Sequence, residues 1–298
     1  MKITKEKLNR IENHYILTKN RSGSTLLNFL LQGHSEIQTI HEENTYWLLY
    51  SKYSNVTFNN EEIINQFLND FFYTINTDNN RALIFTKTEL LSKLKKYIRL
   101  NLKYREFINL FQLNYFGTID NEKKDVRIII NKDLNFSSMM TEMHNHNKDS
   151  KYVFLIRDAH TNIRSSIEAG MGFKNIVFQS VIWKRKNKFF VKPGIPRANY
   201  HILFFEDLVN NKEIELKKVC DFIKVTFEPA MLNNRSTFEG LRDCISNNHS
   251  DNYKALNDLL EKQHTSSSSN KSLKSKTSAD NYFNNKNLRK INLICYKE

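Results

Sequence analysis

Residues 14–33 read HYILTKNRSGSTLLNFLLQG. The first six residues, 14–19, read as a buried strand. Residues 24–33, STLLNFLLQG, read as a helix. Between them lies a short loop of small and hydroxyl residues. A strand, a tight loop and a helix start in succession leave backbone N–H groups aimed at one point, where phosphate-like oxyanions bind. Arg21 adds a fixed positive charge at the mouth of that cradle, and Ser22, Ser24 and Thr25 add hydroxyl donors. Ser24 or Thr25 is also placed to cap the helix. Only 7 glycines occur in 298 residues, so Gly23 inside the loop is informative.

Beyond this loop, strand and helix patterns alternate. EIQTI at 36–40 reads as a second strand ending at His41-Glu42-Glu43. VRIIIN at 126–131 and YVFLIR at 152–157 are continuous apolar runs, as expected of strands buried on both faces of a parallel sheet. YHILFFEDL at 200–208 reads as a last strand. Helices are predicted over 137–146, 161–170, 175–191 and 213–225, the last burying Ile214, Leu216, Val219, Phe222 and Ile223 on one face. Residues 1–13 read as a polar lead-in and 287–298 as helical. Alternating strands and helices give an α/β class with a central parallel sheet flanked by helices.

From about 60 to 118 the pattern is helical. Ile63, Ile64, Phe67, Phe71 and Ile75 recur at a helical period, and leucines and aromatics continue at similar spacing through 89–116. This block reads as a helical insertion that either shapes an acceptor pocket or simply packs. Residues 262–280 are a low-complexity Ser/Lys loop.

Composition narrows the class. Hydrophobic residues make up 40% and include 21 Phe, enough for a sizeable core. The net charge of +13 suits a polyanionic small molecule, nucleic acid, a membrane surface, or merely a solvated Lys surface. No nucleic-acid recognition motif accompanies it. Cys220, Cys244 and Cys295 form no CxxC pair, so neither a disulfide framework nor a metal site is expected. No apolar stretch approaches the about 18 residues of a membrane span. The N-terminal stretch lacks the apolar region of a signal peptide, and a cytoplasmic location is expected.

The loop itself excludes one common reading. A nucleotide kinase or hydrolase carries GxxxxGK[ST], whose Lys reaches the terminal phosphates. Ser24 stands where that Lys would be, and no clear Walker-B Asp follows an apolar strand. A second constellation is Arg157-Asp158 at a strand end, with Ser165 eight residues after the Arg. Ligands bind at the carboxyl ends of parallel strands, and an Arg there can fork onto a phosphate. The alternative for Arg157 is a structural ion pair.

With these residues in place the chain resembles the sulfotransferases that use 3'-phosphoadenosine 5'-phosphosulfate. Their first signature is similar to Arg21-Ser22-Gly23-Ser24-Thr25-Leu26 followed by a helix and His34. Their second is similar to Arg157, Asp158 and Ser165, and their third to Phe205-Glu206-Asp207-Leu208. The matches run in family order over roughly 14–225. The form of the loop is closest to the tyrosylprotein and some carbohydrate sulfotransferases, and the tyrosylprotein branch also resembles this chain at Glu42 and at Asn131-Lys132-Asp133. The chain departs from the family at Ala159-His160, Leu134 and Phe205, and Ser35 follows His34 where Pro is common. No residue matches the family's C-terminal cofactor loop, although Lys274 or Lys276 could serve.

The resemblance implies a P-loop NTPase-like three-layer fold, as a single domain over 1–298. It implies 3'-phosphoadenosine 5'-phosphosulfate as co-substrate, held by Arg21, Ser22, Gly23, Ser24, Thr25, Leu26, Arg157 and Ser165. It implies Glu42 as base, with Glu43 its nearest rival, and Arg21 and Lys132 as charge stabilisers. A salt bridge to Asp133 or Asp158 is the alternative for Lys132. Trp183 either stacks on adenine or fills the core, and His41 and His160 read as polar edge residues. The acceptor is a hydroxyl of a saccharide, lipid-linked molecule, small metabolite or tyrosine. The rival readings are a divergent P-loop kinase or hydrolase and a degenerate polyanion-binding domain.

Overall fold

The computed structural model describes residues 3–43, 45–75, 86–115, 125–134, 139–171, 174–191, 193–232 and 283–296. In chain order the first elements are α1 (Lys5–Arg10), β1 (Glu12–Thr18), α2 (Ser24–Gln32) and β2 (Ile37–Glu43). Next come α3 (Thr45–Leu48), α4 (Tyr50–Tyr53), β3 (Thr57–Phe58), α5 (Glu61–Ile75) and α6 (Lys87–Leu94). They are followed by β4 (Leu102–Lys103), α7 (Tyr104–Tyr115), β5 (Ile128–Asp133), α8 (Met140–His146) and β6 (Tyr152–Ile156). The last are α9 (Ala159–Glu168), α10 (Ile176–Val191), β7 (Tyr200–Phe204), α11 (Phe205–Asn210), α12 (Lys212–Ile223) and α13 (Asn285–Cys295).

A central sheet of five strands in the order β2-β5-β1-β6-β7 is flanked by helices, the α/β architecture expected. β2 runs parallel to β5, β1 to β6, and β6 to β7. β1 is buried along all but its first residue, with Tyr15, Ile16 and Leu17 in the core beside the buried polar Asn13, His14 and Thr18.

The chain divides into two compact units. Among the described residues, the first takes 3–14, 28–132 and 228–232. Its core is aromatic: Phe58 and Phe107 stack with centroids 3.6 Å apart, and Phe67 and Phe71 each meet Phe111 edge to face. The 60–118 region is helical in α5, α6 and α7, but β3 and β4 also pair as a small antiparallel sheet. Residues 76–85 and 116–118 of that region lie outside the described residues. Residues 3–13 of the expected lead-in are in fact structured. Thr4 caps α1, Leu8 is fully buried, and Asn109 on α7 donates to the Leu8 carbonyl.

The second unit takes 15–27, 133–227 and 283–296. α9, α10 and α13 share a core of Ala159, Ile163, Trp183, Phe283, Ile291 and Cys295. Three expectations change here. The strand predicted over 200–208 stops at Phe204. Glu206 and Asp207 then favour the first turn of α11, where carboxylates meet the positive end of the helix dipole. Ile214 of α12 is 56% exposed, while Leu216, Val219, Cys220 and Ile223 are buried. β5 begins at Ile128 and ends at Asp133, each two residues later than predicted, so it includes Asn131-Lys132-Asp133. Cys220 and Cys295 are free, buried thiols. Cys244 and the Ser/Lys segment 262–280 lie outside the described residues. Among the described residues no helix is long and apolar enough to cross a membrane.

Candidate functional site

The loop between β1 and α2 has an unusual backbone. Arg21 has φ +69° and Gly23 has φ +95°, so two left-handed residues flank Ser22. Alternation of this kind folds successive N–H groups into a concave nest. α2 begins at Ser24. The N–H groups of Ser24, Thr25 and Leu26 therefore have no carbonyl one turn back to bond. Gly23 is required twice over. Its φ disfavours a side chain, and a β-carbon there would lie 2.2 Å from Cδ2 of Phe205.

The second constellation meets this loop directly. Arg21 Nε donates to Ser165 Oγ at 3.1 Å, and Arg157 Nη1 donates to the Arg21 carbonyl at 3.0 Å. The Arg157 guanidinium lies over the Phe205 ring, 4.6 Å from its centroid. Burial pulls both guanidinium groups below their ordinary range; Glu168 opposes this for Arg21, and Glu206 for Arg157. Both remain cationic at any working pH. Arg157 Nε is buried without a hydrogen-bond partner. Two half-buried cations facing one nest, one with an orphaned donor, fit a ligand bearing phosphate or sulfate groups.

The carboxylates of the same region are occupied with structure. Asp158 caps α9 by accepting from Thr161 N at 3.1 Å, and its other oxygen accepts from the Tyr296 hydroxyl at 2.5 Å. Tyr296 also accepts from Ala159 N at 2.9 Å, so the end of α13 fills the start of α9. Glu206 accepts from Asp158 N at 3.2 Å, and burial raises its pKa. Trp183 belongs to the core cluster, and its indole N–H donates to the Arg157 carbonyl at 2.9 Å. This answers the adenine-stacking alternative with the core one. His160 is buried, with Nε2 3.0 Å from Asn292 Oδ1.

Glu42 and Lys132 belong to the other unit. The β2–β5 register pairs Ile40 with Asn131 and Glu43 with Lys132, with an irregularity between Ile40 and Glu43. Glu42 thus sits in that irregularity at the carboxyl end of β2, one strand from Lys132, which is half-buried. The same end of β2 leads to the buried Tyr46 and Trp47. Among the described residues no group of three or more His, Cys, Asp or Glu side chains could hold a metal ion.

A model of the Sulfotransferase family matches residues 15–229, a span that includes the loop, Arg157, Ser165 and the β7–α11 junction. The chain belongs to the sulfotransferase family. Two solved structures share the fold of this sulfotransferase. One is the sulfotransferase domain from the Synechococcus PCC 7002 olefin synthase, with 19% identity, a TM-score of 0.53 and coverage of 97% of this chain and 96% of that one. The other is the sulfotransferase domain from the curacin biosynthetic pathway, with 17% identity, a TM-score of 0.52 and coverage of 97% and 99%. No curated protein matches.

Sequence reading missed Lys19. Its side chain is buried, and Nζ donates to Asn162 Oδ1 at 2.7 Å and to Ser166 Oγ at 3.2 Å on α9. The only signal was a Lys two residues before Arg21; its partners lie more than 140 positions away.

Proposed function

We propose that this sulfotransferase takes 3'-phosphoadenosine 5'-phosphosulfate as donor and transfers its sulfuryl group to an acceptor hydroxyl. The Arg21–Ser165 hydrogen bond carries the reading. It joins the anion loop to the second motif, so one ligand with two anionic ends can engage both. The loop residues Arg21, Ser22, Gly23, Ser24, Thr25 and Leu26 would cradle the 5'-phosphosulfate. Arg157 and Ser165 would take the 3'-phosphate, which separates this donor from ATP. The domain would span 1–298, with the helical region about 60–118 on the acceptor side.

When bound, the donor supplies a sulfuryl group on a good phosphate leaving group. The acceptor oxygen attacks sulfur in line, and the bond from sulfur to the bridging phosphate oxygen breaks. Glu42 takes the acceptor's proton. Arg21 and Lys132 stabilise the negative charge that grows on the sulfuryl and bridging oxygens. The β2–β5 register, which brings Glu42 and Lys132 to neighbouring strand ends, supports this pairing. The acceptor is a saccharide, lipid-linked, small-metabolite or tyrosine hydroxyl, and the reaction is cytoplasmic.

One comparison of ligand-induced thermal shifts tests the donor. Adenosine 3',5'-bisphosphate should stabilise the protein more than ATP with magnesium or heparin does. Preferential stabilisation by ATP with magnesium would restore the kinase reading. A response to heparin alone would mark a polyanion-binding domain. Labelled donor and a panel of hydroxyl compounds would then identify the acceptor.

A further inference from the structure

Lys19 is a buried ammonium with no carboxylate against it among the described residues. Such a charge is costly unless something else completes its environment. What it touches is neutral: Asn162 and Ser166, one turn apart on α9.

The donors and acceptors around Asn162 admit one arrangement. A lysine ammonium only donates, so Asn162 must turn its oxygen to Lys19. Its amide nitrogen then donates to the Asn20 carbonyl and to Ser22 Oγ, both at 3.0 Å. A backbone carbonyl only accepts, so Asn20 enforces the same orientation. Ser166 completes the lock by accepting from Lys19 and donating to the Asn162 carbonyl at 2.9 Å. Ser22 Oγ is therefore an acceptor toward Asn162, and its own proton must point elsewhere. Ser22 is 2% exposed, and no acceptor for that proton occurs among the described residues.

We propose that Lys19 is a positioning residue of the donor site: its ammonium locks the Asn162 amide and thereby turns the Ser22 hydroxyl proton toward the bound anion. This rests on the reading that the loop holds the donor's phosphosulfate. The chain from ammonium to amide to hydroxyl to anion is polarised in one direction, which strengthens each bond in it.

The arrangement is sensitive to pH. Burial lowers Lys19 to about 8; Lys186 adds repulsion and Cys295 opposes it. These two, on α10 and α13, are the titratable groups facing it, while α9 offers neutral Asn162 and Ser166. A neutral amine can accept as well as donate, and the amide loses its lock. An anion in the loop favours the ammonium, so binding takes up a proton near and above that pH.

The test is calorimetric titration of adenosine 3',5'-bisphosphate into the full chain between about pH 7.5 and about pH 9.5, in buffers of different ionisation heat. One linked proton weakens binding by up to about tenfold per pH unit above the free pKa. The expected result is proton uptake on binding, with affinity falling in that sense. Lys19→Met should weaken binding roughly tenfold or more at the lower pH, the scale of a lost charge-assisted contact, and flatten the pH dependence. Ser22→Ala should weaken the native protein but add little to Lys19→Met, because Lys19 acts through Ser22.

Binding without proton uptake, or fully additive losses, overturns the role of Lys19 and leaves the donor reading intact. No binding of the bisphosphate at any pH overturns the donor reading, and the inference with it. The uptake measurement needs only the native chain, so it decides even if the variant does not fold.

Discussion

Gly23 lies against the ring of Phe205 so closely that a β-carbon on it would sit 2.2 Å from Cδ2. The same ring carries the Arg157 guanidinium at 4.6 Å. One aromatic side chain therefore sets both the shape of the anion loop and the height of the cation beside it. These contacts use only the ring of Phe205. Gly23→Ala should destabilise the protein by about 1–3 kcal/mol from overpacking, plus about 1 kcal/mol for the left-handed backbone. Chemical denaturation measures the sum. Gly23→Ala combined with Phe205→Ala should recover part of the packing loss and none of the backbone loss; unaltered stability in Gly23→Ala alone would contradict the contact.

Arg157 should distinguish nucleotides. Its Nε is buried without a partner, and its Nη1 is held by the Arg21 carbonyl. Arg157→Ala should weaken adenosine 3',5'-bisphosphate by about 1.5–3 kcal/mol, the scale of a hydrogen bond to a charged group, and barely affect 5'-AMP. Equal losses for the two nucleotides would remove Arg157 from the 3'-phosphate.

Glu42 and Lys132 should act on turnover. Glu42→Gln is expected to lower kcat by roughly 10²–10⁴-fold and to leave bisphosphate affinity nearly unchanged. Lys132→Met should also lower kcat. Steady-state kinetics beside equilibrium binding separates the two effects, and a binding defect in Glu42→Gln would take the base role away from it.

Lys19 should oppose stability in the ligand-free protein. Its pKa is about 8 in the fold against an ordinary 10.5, so the unfolded chain holds the proton more tightly between those values. The penalty is complete below about 8 and fades as pH rises toward 10.5. Its ceiling is of order 3 kcal/mol. Lys19→Met should therefore melt higher than the native chain at neutral pH, and the advantage should shrink as pH rises. Comparing the two chains by melting curves cancels the other titrating groups, Lys212 included. A variant less stable at every pH would show that the ammonium earns more from its contacts than burial costs it.

Turnover should survive a metal chelator. The loop has Ser24 where a magnesium–ATP site needs its Lys. Activity lost to chelation and restored by magnesium would favour the kinase chemistry instead.

Much of the fold was legible because its strands are buried on both faces. Continuous apolar runs such as YVFLI mark such strands even in isolation. The 3.6-residue period of EEIINQFLNDFFYTI marked the helical character of α5, without its end at Ile75. Boundaries failed where apolar residues run through a change of element. Phe204 and Phe205 look alike in sequence, yet Phe204 is 48% exposed at the end of β7 and Phe205 is buried at the start of α11. The lead-in was misread because Leu8 is buried by α7, a hundred residues away.

By itself the sequence located the strands of the central sheet, the loop after β1, and the two motifs that the proposed donor would engage, because these depend on residue type at short spacing. Only the tertiary structure decided what the loop rests on. It put Arg21 on Ser165, Phe205 under Gly23, and Lys19 on Asn162, across separations of more than 140 positions for the first and last. No local pattern encodes such pairs, since they arise when parallel strands bring distant loops to the same end of a sheet.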